Sequence, residues 1–377
     1  MTWTPWAPAQ WFPLVARARP TCPPLDERIG EVCELARAGA GQTGDRLALA
    51  AAAHNKAALI ASDCGLPELA RSLCWQQFDI YLRARPLGGQ AARLALEPVV
   101  NLARLLIRGG DGGSAYELLD TLYQAVRFHT DAVIDGREVS FQTLTESDED
   151  HRSVCQWLWT VLLGDGTRAL VGAGRWDQAM AHAQQRGGIG QRLLDGRQVA
   201  VLAHCIAGDP ASAATLLNET VLSESWEQPV ADCLALLCLR SDARPTDAAV
   251  ADMVEHYLTL GRAPELLLFR ARLGFAVIDL AGGVGQPQAV KPAAQLVGEA
   301  VAAGNGYVAR DVLAHDGIRT LLTDAEEQAL SATVRSSGLG RGAIPAHLMT
   351  DLRSAIAISE AATARSLAAP TPASPSA

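Results

Sequence analysis

The chain contains 377 residues, with a net charge of −9, 49% hydrophobic residues and 19% charged residues. This balance is typical of a folded globular protein and excludes a largely disordered chain. The negative charge argues against broad nucleic-acid binding, which depends on a basic surface that neutralises phosphates. Ala, Leu and Gly dominate, whereas the strand formers Phe, Tyr and Ile are scarce, so we expect an all-α fold.

The two ends of the chain differ in composition from the part between them. Residues 1–24 are rich in Pro and Trp, and we interpret them as an extended arm whose aromatic side chains dock on the first helices. Because this stretch lacks the charge and the uninterrupted apolar run of a signal peptide or a membrane span, we expect neither. Residues 369–377, APTPASPSA, are predicted to be a disordered tail.

Helices with a recurring turn are predicted for most of the remaining sequence. In NLARLLIRGGD, apolar residues at three- and four-residue spacing precede a glycine that would end the helix. Four such glycines are each followed five residues later by alanine: the pairs are Gly65 and Ala70, Gly110 and Ala115, Gly174 and Ala179, and Gly208 and Ala213. A fifth copy, at Gly261, has Leu266 instead. Because glycine ends a helix in the left-handed conformation and alanine lets helices approach closely, each pair predicts an antiparallel helical hairpin.

These turns resemble those of the tetratricopeptide repeat family, which NLARLLIRGGDGGSAYELL matches best, with Asn101 and Leu102 in its first helix. The resemblance covers roughly residues 45–270. It implies an α-solenoid of stacked helical hairpins, whose concave groove binds peptides or partner proteins. Because successive turn glycines are 45, 64, 34 and 53 residues apart, we expect degenerate hairpins with an irregular insert.

The insert, near residues 127–152, breaks the helical pattern with many polar residues. One interpretation is a solvated excursion; the other is a lid over a ligand, with four residues facing that ligand: Arg127, His129, Asp131 and Arg137. The acidic stretch ESDEDHR at its end predicts the capped start of a helix rather than a metal site. Trp157 and Trp159 in that helix are expected to be core residues, with a binding platform as the alternative.

Two glycine-rich stretches are predicted to be turns and not nucleotide-binding loops. Gly188-Ile189-Gly190 follows a helix and lacks the third glycine of a dinucleotide fingerprint, and GGVGQPQ (residues 282–288) lacks the lysine of a phosphate-binding loop. Since the common hydrolase and zinc motifs are also missing, we expect no metal and no cofactor. The eight cysteines form no C-x-x-C pair and are interpreted as buried free thiols, which favours the reducing cytoplasm.

The candidate ligand-binding residues follow from the resemblance. In tetratricopeptide repeats, the groove is lined by the first helix of each hairpin, at fixed distances before the turn glycine. Counting back from the glycines places eight polar residues there: Asn55, Lys56, Asn101, Arg104, Asp165, Arg168, Asp195 and Gln198. Amides can hold a peptide main chain, and arginine can bind a carboxylate or phosphate with two parallel hydrogen bonds. The alternative is that these residues bond only to each other, as Asp165 could with Arg168. No catalytic residue is assigned.

We divide the sequence into the arm (1–24), a tetratricopeptide-like array (25–280), a C-terminal helical region (281–368) and the tail (369–377). The predicted function is a protein- or peptide-binding adaptor or regulator that uses a basic, amide-rich lane in the groove. Its partner could carry an acidic group, and neither nucleic acid nor a membrane is expected as a partner. The alternative is an enzyme or small-molecule sensor for an acidic ligand, with the insert closing its pocket.

Overall fold

The computed structural model describes residues 7–41, 45–239 and 246–368. It is an all-α fold, as predicted, with one small two-stranded sheet that was not predicted. The chain divides into a first unit, Pro24–Ala169 with Gly338–Ala377, and a second unit, Met1–Pro23 with Leu170–Ser337. Each unit has its own apolar core.

The helices and strands follow one another with short connections. The first unit begins with α1 (Leu25–Ala40), α2 (Arg46–Asp63), α3 (Pro67–Arg83), α4 (Gly89–Arg108), α5 (Gly112–Arg127), β1 (Asp131–Ile134), β2 (Arg137–Ser140) and α6 (Asp148–Val161). A π-helical turn (Leu162–Gly166) leads into α7 (Thr167–Gly172), which crosses the division between the units. The second unit contains α8 (Trp176–Gln185), α9 (Asp195–Ile206), α10 (Pro210–Asn218), α11 (Glu227–Leu239), α12 (Asp247–Thr259), α13 (Leu267–Leu280), α14 (Val290–Ala303), α15 (Gly306–Ala314), α16 (Asp316–Arg319) and α17 (Asp324–Ser337). The last helix, α18 (Ala346–Ala368), belongs to the first unit.

The four turns predicted from glycine–alanine pairs are confirmed. Their glycines have φ values of +77°, +83°, +72° and +78°, in the left-handed region that an L side chain rarely adopts. The paired alanines, Ala70, Ala115, Ala179 and Ala213, are each 0% exposed. The fifth copy differs, because α12 ends before Gly261 in an extended residue and a short 3₁₀ turn (Pro264–Leu266) precedes α13. The pattern therefore forms a tight hairpin only where glycine and alanine occur together.

Both glycine-rich stretches are connections between helices, as predicted. Residues 186–194 link α8 to α9, and Gly187 ends α8 with φ +66°. Gly282 and Gly283, with φ +97° and +85°, end α13 and lead to α14. A helix, and not a strand, lies directly before each stretch, so neither has the strand–turn–helix context of a dinucleotide site within the described residues.

The division of the chain differs from the predicted one at both ends. Helix α18, predicted to belong to a C-terminal region, packs on α1 and α2 in the first unit. There the Ser359 hydroxyl donates to the Ala50 carbonyl at 2.6 Å, and the Gly340 N–H donates to the Asp63 carbonyl at 2.8 Å. The predicted tail, residues 369–377, lies outside the described residues.

The prediction that the N-terminal arm docks on the first helices is wrong, because it packs on α13 instead. Trp11 stacks on Phe275 with ring centroids 4.7 Å apart, and its indole N–H donates to Asp279 at 2.9 Å. Phe12 and Leu14 are 3% and 2% exposed and belong to the core of the second unit. Trp11 and Phe12 thus anchor the arm, as expected of its aromatic side chains, but on a segment distant in sequence; Trp3 and Trp6 lie outside the described residues.

The interpretation of all eight cysteines as free thiols is also wrong. Cys205, in α9, and Cys238, in α11, form a disulfide with their Cα atoms 5.4 Å apart. Their separation of 33 residues gives no short motif in the sequence. The other six cysteines are not disulfide-bonded.

Across residues 7–41, 45–239 and 246–368, no helix is both long enough and apolar enough to span a membrane.

Candidate ligand-binding surface

Five of the eight predicted ligand-binding residues form one hydrogen-bonded row in the first unit. Arg104 donates to the Asn101 oxygen at 3.1 Å, and Asn101 donates in turn to the Asn55 oxygen at 3.1 Å. At the other end, Arg104 and Arg168 both bind Asp165, at 2.8 Å and 3.4 Å. Together with Glu97, which accepts a bond of 3.1 Å from Asn55, these residues are called the polar row: Glu97, Asn55, Asn101, Arg104, Asp165 and Arg168.

Three successive first helices of hairpins supply the polar row. Asn55 lies on α2, and Glu97, Asn101 and Arg104 lie four and three residues apart on one face of α4. The π-helical turn after α6 presents Asp165, and α7 follows with Arg168. Helix α4 packs against α2 and against α6, which the π-helical turn and α7 continue, so the segments that carry the row are neighbours. π-Helical turns are rare and are often retained at functional sites.

The row leaves hydrogen-bond donors unused. A carboxamide has two N–H groups, and in the row Asn55 and Asn101 each use one. Among the described residues, the second N–H of either amide has no partner, and both side chains are partly exposed. The Arg104 side chain is 49% exposed, although its Nε, Nη1 and Nη2 atoms all bond within the row. The surface can therefore offer N–H groups to an acceptor in solution.

Each cation of the row is balanced by a carboxylate. Asp165 is 14% exposed and is shared by two arginines, so one of them can move to another anion while the second stays paired. At the opposite end, burial raises the pKa of Glu97, whereas Arg93, Arg104 and the bond from Asn55 act in the other direction. An anionic ligand would therefore compete with Asp165 for an arginine and would not meet an unpaired charge.

The remaining three predicted residues lie outside the polar row. Lys56 binds Glu31 of α1 at 2.6 Å. In the second unit, Asp195 binds Arg17 at 2.6 Å, and Gln198 is 0% exposed. The Gln198 amide accepts from the Leu14 N–H at 2.7 Å and donates to the Leu14 carbonyl at 2.6 Å. Its placement as a groove residue is therefore wrong, because the N-terminal arm covers it and uses its hydrogen-bonding groups.

The polar insert forms a β-hairpin that docks on α3. Strands β1 and β2 pair through a turn at Asp135 and Gly136, and Ile134 and Val139 are buried beneath it. Asp135 accepts hydrogen bonds from Arg71 at 2.5 Å and from Trp75 at 3.0 Å, both on α3. The insert is therefore an ordered hairpin with one buried side, and most of its residues are exposed, as the solvated interpretation expects.

The four residues proposed to face a ligand bond elsewhere. Arg137 lies over the Trp75 ring at 4.1 Å and pairs with Asp79, and Asp131 accepts from Gln142 at 3.1 Å. His129 stacks on His151 with ring centroids 4.0 Å apart, and Arg127 lies over the Phe128 ring at 5.3 Å. This arrangement gives the lid interpretation no support.

The acidic stretch after the hairpin is the capped start of α6, as predicted. The Ser147 oxygen accepts from the Asp150 N–H at 3.2 Å, and the Asp150 carboxylate accepts from the Gly89 N–H at 2.6 Å. Trp157 and Trp159 are partly buried and pack against the core of the first unit. Within the described residues, no group of three or more His, Cys, Asp or Glu side chains could hold a metal ion.

A second feature, which sequence reasoning missed, is a histidine–aspartate pair beside a cleft of about 710 Å³ in the second unit. The distance between His315 Nε2 and Asp279 Oδ1 is 3.0 Å. Such a pair could serve as a general base, but the Ile318 N–H donates to His315 Nδ1 at 3.3 Å. Because Nδ1 accepts this bond, the N–H group of the ring is at Nε2 and donates a hydrogen bond to Asp279. Neither ring nitrogen is then available as a base. Because Asp279 also binds Trp11, we interpret the pair as structural: His315 orients Asp279, and Asp279 holds the N-terminal arm.

No protein-family model, curated protein or solved structure matches this chain.

Proposed function

We propose that this protein is a peptide- or protein-binding helical-repeat adaptor or regulator, and that its partner binds along the polar row. The observation that carries the proposal is the alignment of two amides and two arginines from three neighbouring helices. The spare amide N–H groups suit main-chain carbonyls of an extended peptide, and the arginines suit an acidic side chain or a terminal carboxylate. The resemblance to tetratricopeptide repeats supports the same use of these helices.

The binding step would exchange one ion pair for another. An incoming carboxylate would take Arg104 or Arg168 from Asp165, and the arginine left behind would keep Asp165 paired. Because the exchange leaves no buried charge without a partner, its cost is lower than for a row with a single arginine. The row itself is preformed on helices, which reduces the entropy lost on binding.

The alternative function and the expected cytoplasmic location both receive less support. An enzyme or sensor with a pocket closed by the insert would need the hairpin as a lid, and the hairpin is fastened to α3. A cytoplasmic location was proposed from the cysteine spacing, but the disulfide between Cys205 and Cys238 would be unusual in that compartment.

The proposal can be tested with peptides selected from a random library displayed on phage. For a peptide that binds the wild-type protein, Arg104→Ala and Arg168→Ala should each weaken binding by about 1.5–3 kcal/mol, since each removes a charge-assisted bond. Fluorescence polarisation would measure the dissociation constants. Asn101→Leu, which removes the amide and keeps the size, should also weaken binding.

Arg152→Ala is the matched control, because Arg152 is exposed on α6 and lies outside the polar row. It should leave the affinity unchanged. Equal affinities for Arg104→Ala, Arg168→Ala and the wild type, with all three proteins folded, would refute the proposal.

A further inference from the structure

The second unit contains a surface cavity of about 480 Å³, which is open to solvent and has the volume of a small-molecule site. Its walls are mostly apolar and come from the N-terminal arm and from the segments around α13 and α14: Pro23, Pro264, Leu267, Ala302 and Ala303. Its charged lining residues are Arg262, Arg270 and Glu299. Two guanidinium groups therefore face one carboxylate at the polar end of an apolar cavity.

Arg270 is fixed in place at this polar end. Its side chain is 2% exposed and makes a two-pronged pair with Glu299, at 3.3 Å and 2.8 Å. The same guanidinium donates to the carbonyls of Leu260 and Gly261, at 2.6 Å and 2.9 Å. Arg270 thus binds both oxygens of Glu299.

Arg262 is the second cation at this end, and Glu299 would stay paired with Arg270 without it. Its side chain is 67% exposed and lies 3.3 Å from the Glu299 carboxylate and 3.3 Å from the Gln295 oxygen. If Arg262 turned away, Glu299 would keep its pair with Arg270, so no buried carboxylate would lose its partner. The arginine can therefore bind another anion at small cost.

We propose that this cavity binds a small monocarboxylate with an apolar body, whose carboxylate pairs with Arg262 while its carbon chain lies against the apolar walls. The positive charge of the lining excludes a cationic ligand of the same shape. The walls exclude a small hydrophilic anion, which would have to leave water without gaining apolar contacts. The proposal concerns the second unit and does not depend on the polar row.

The test uses octanoate as the probe, with octan-1-ol and octylamine as neutral and cationic molecules of equal chain length. Isothermal titration calorimetry on the full chain should show one saturable octanoate site. Octan-1-ol should bind about tenfold more weakly, and octylamine should show no saturable binding. Arg262→Gln should weaken octanoate binding by about tenfold or more.

Arg319→Gln is the control, because Arg319 is similarly exposed and pairs with Glu327 at 2.9 Å outside the cavity. It should bind octanoate like the wild type, and unchanged melting temperatures would show that all variants are folded. The proposal is wrong if octanoate does not bind saturably or if octylamine binds as well as octanoate. It is also wrong if Arg262→Gln binds octanoate normally, or if Arg319→Gln weakens binding as much as Arg262→Gln.

Discussion

At the scale of single residues, His54 couples the stability of the first unit to pH. It is 2% exposed, and its Nε2 atom has no hydrogen-bond partner among the described residues. Burial lowers its pKa from the ordinary value to about 4, against a smaller opposite effect of a bond with the backbone at Leu73. The folded protein thus keeps an uncharged imidazole at pH values where the unfolded chain binds a proton.

This difference gives a signed prediction. Between about pH 6.5 and pH 4 the unfolded chain takes up a proton at His54 and the folded chain does not, so stability falls as the pH falls. The contribution is at most about 1.4 kcal/mol per pH unit. Above about pH 6.5 His54 costs the folded protein no stability, and below about pH 4 the stability lost through His54 no longer increases. Urea unfolding at a series of pH values should show a shallower decline for His54→Gln.

His347→Gln is the matched control, since His347 is exposed at the start of α18. It should follow the wild-type dependence on pH. If His54→Gln and the wild type lose stability at the same rate, His54 does not carry this coupling.

At the scale of helices, the alanines after the turn glycines set how closely two helices pack. Ala115 and Ala213 are 0% exposed, so Ala115→Leu and Ala213→Leu should force atoms into a filled contact. We expect each to lower the free energy of unfolding by about 1–3 kcal/mol, measured by urea denaturation. Ala214→Leu, one residue along α10 and exposed, should change it little. Three indistinguishable unfolding curves would disprove the close-packing role.

The turns could be predicted because their cause is local. A left-handed residue favours glycine, and a close helix contact five residues later favours alanine. Both requirements therefore show in a sequence motif of six residues. The polar row was predictable for a similar reason, since Asn101 and Arg104 hold fixed positions before Gly110 on one helix.

The parts that sequence reasoning missed depend on contacts between distant segments. Trp11 binds a residue 268 positions away, and nothing near either residue indicates the pairing. Gln198 occupies a position on its helix equivalent to those of the row. That position could be predicted from the sequence, but the sequence did not show that the arm covers the residue. The disulfide between Cys205 and Cys238 was missed because the two helices that carry it are joined through α10.

At the scale of the whole molecule, each unit is built from two separate stretches of sequence. A chain that ends at Ser337 would lack α18 and would leave α1 and α2 without the helix that packs on both. We expect this truncation to remove amide hydrogen-exchange protection from α1 and α2 and to leave α13 protected, because protection follows local packing. Mass spectrometry of deuterated peptides would measure both. Equal protection of α1 in the full and truncated chains would contradict this role of α18.

The return of α18 to the first unit also sets an order of events during synthesis. A ribosome makes α1 and α2 before the helices of the second unit, but α18, which packs on both, is translated after every residue of the second unit. The second unit already has its arm and needs only residues up to Ser337, so it can be completed first. Helices α1 and α2 therefore gain their full set of neighbours only after the second unit is complete, and until then they expose apolar surface that can aggregate or bind a chaperone.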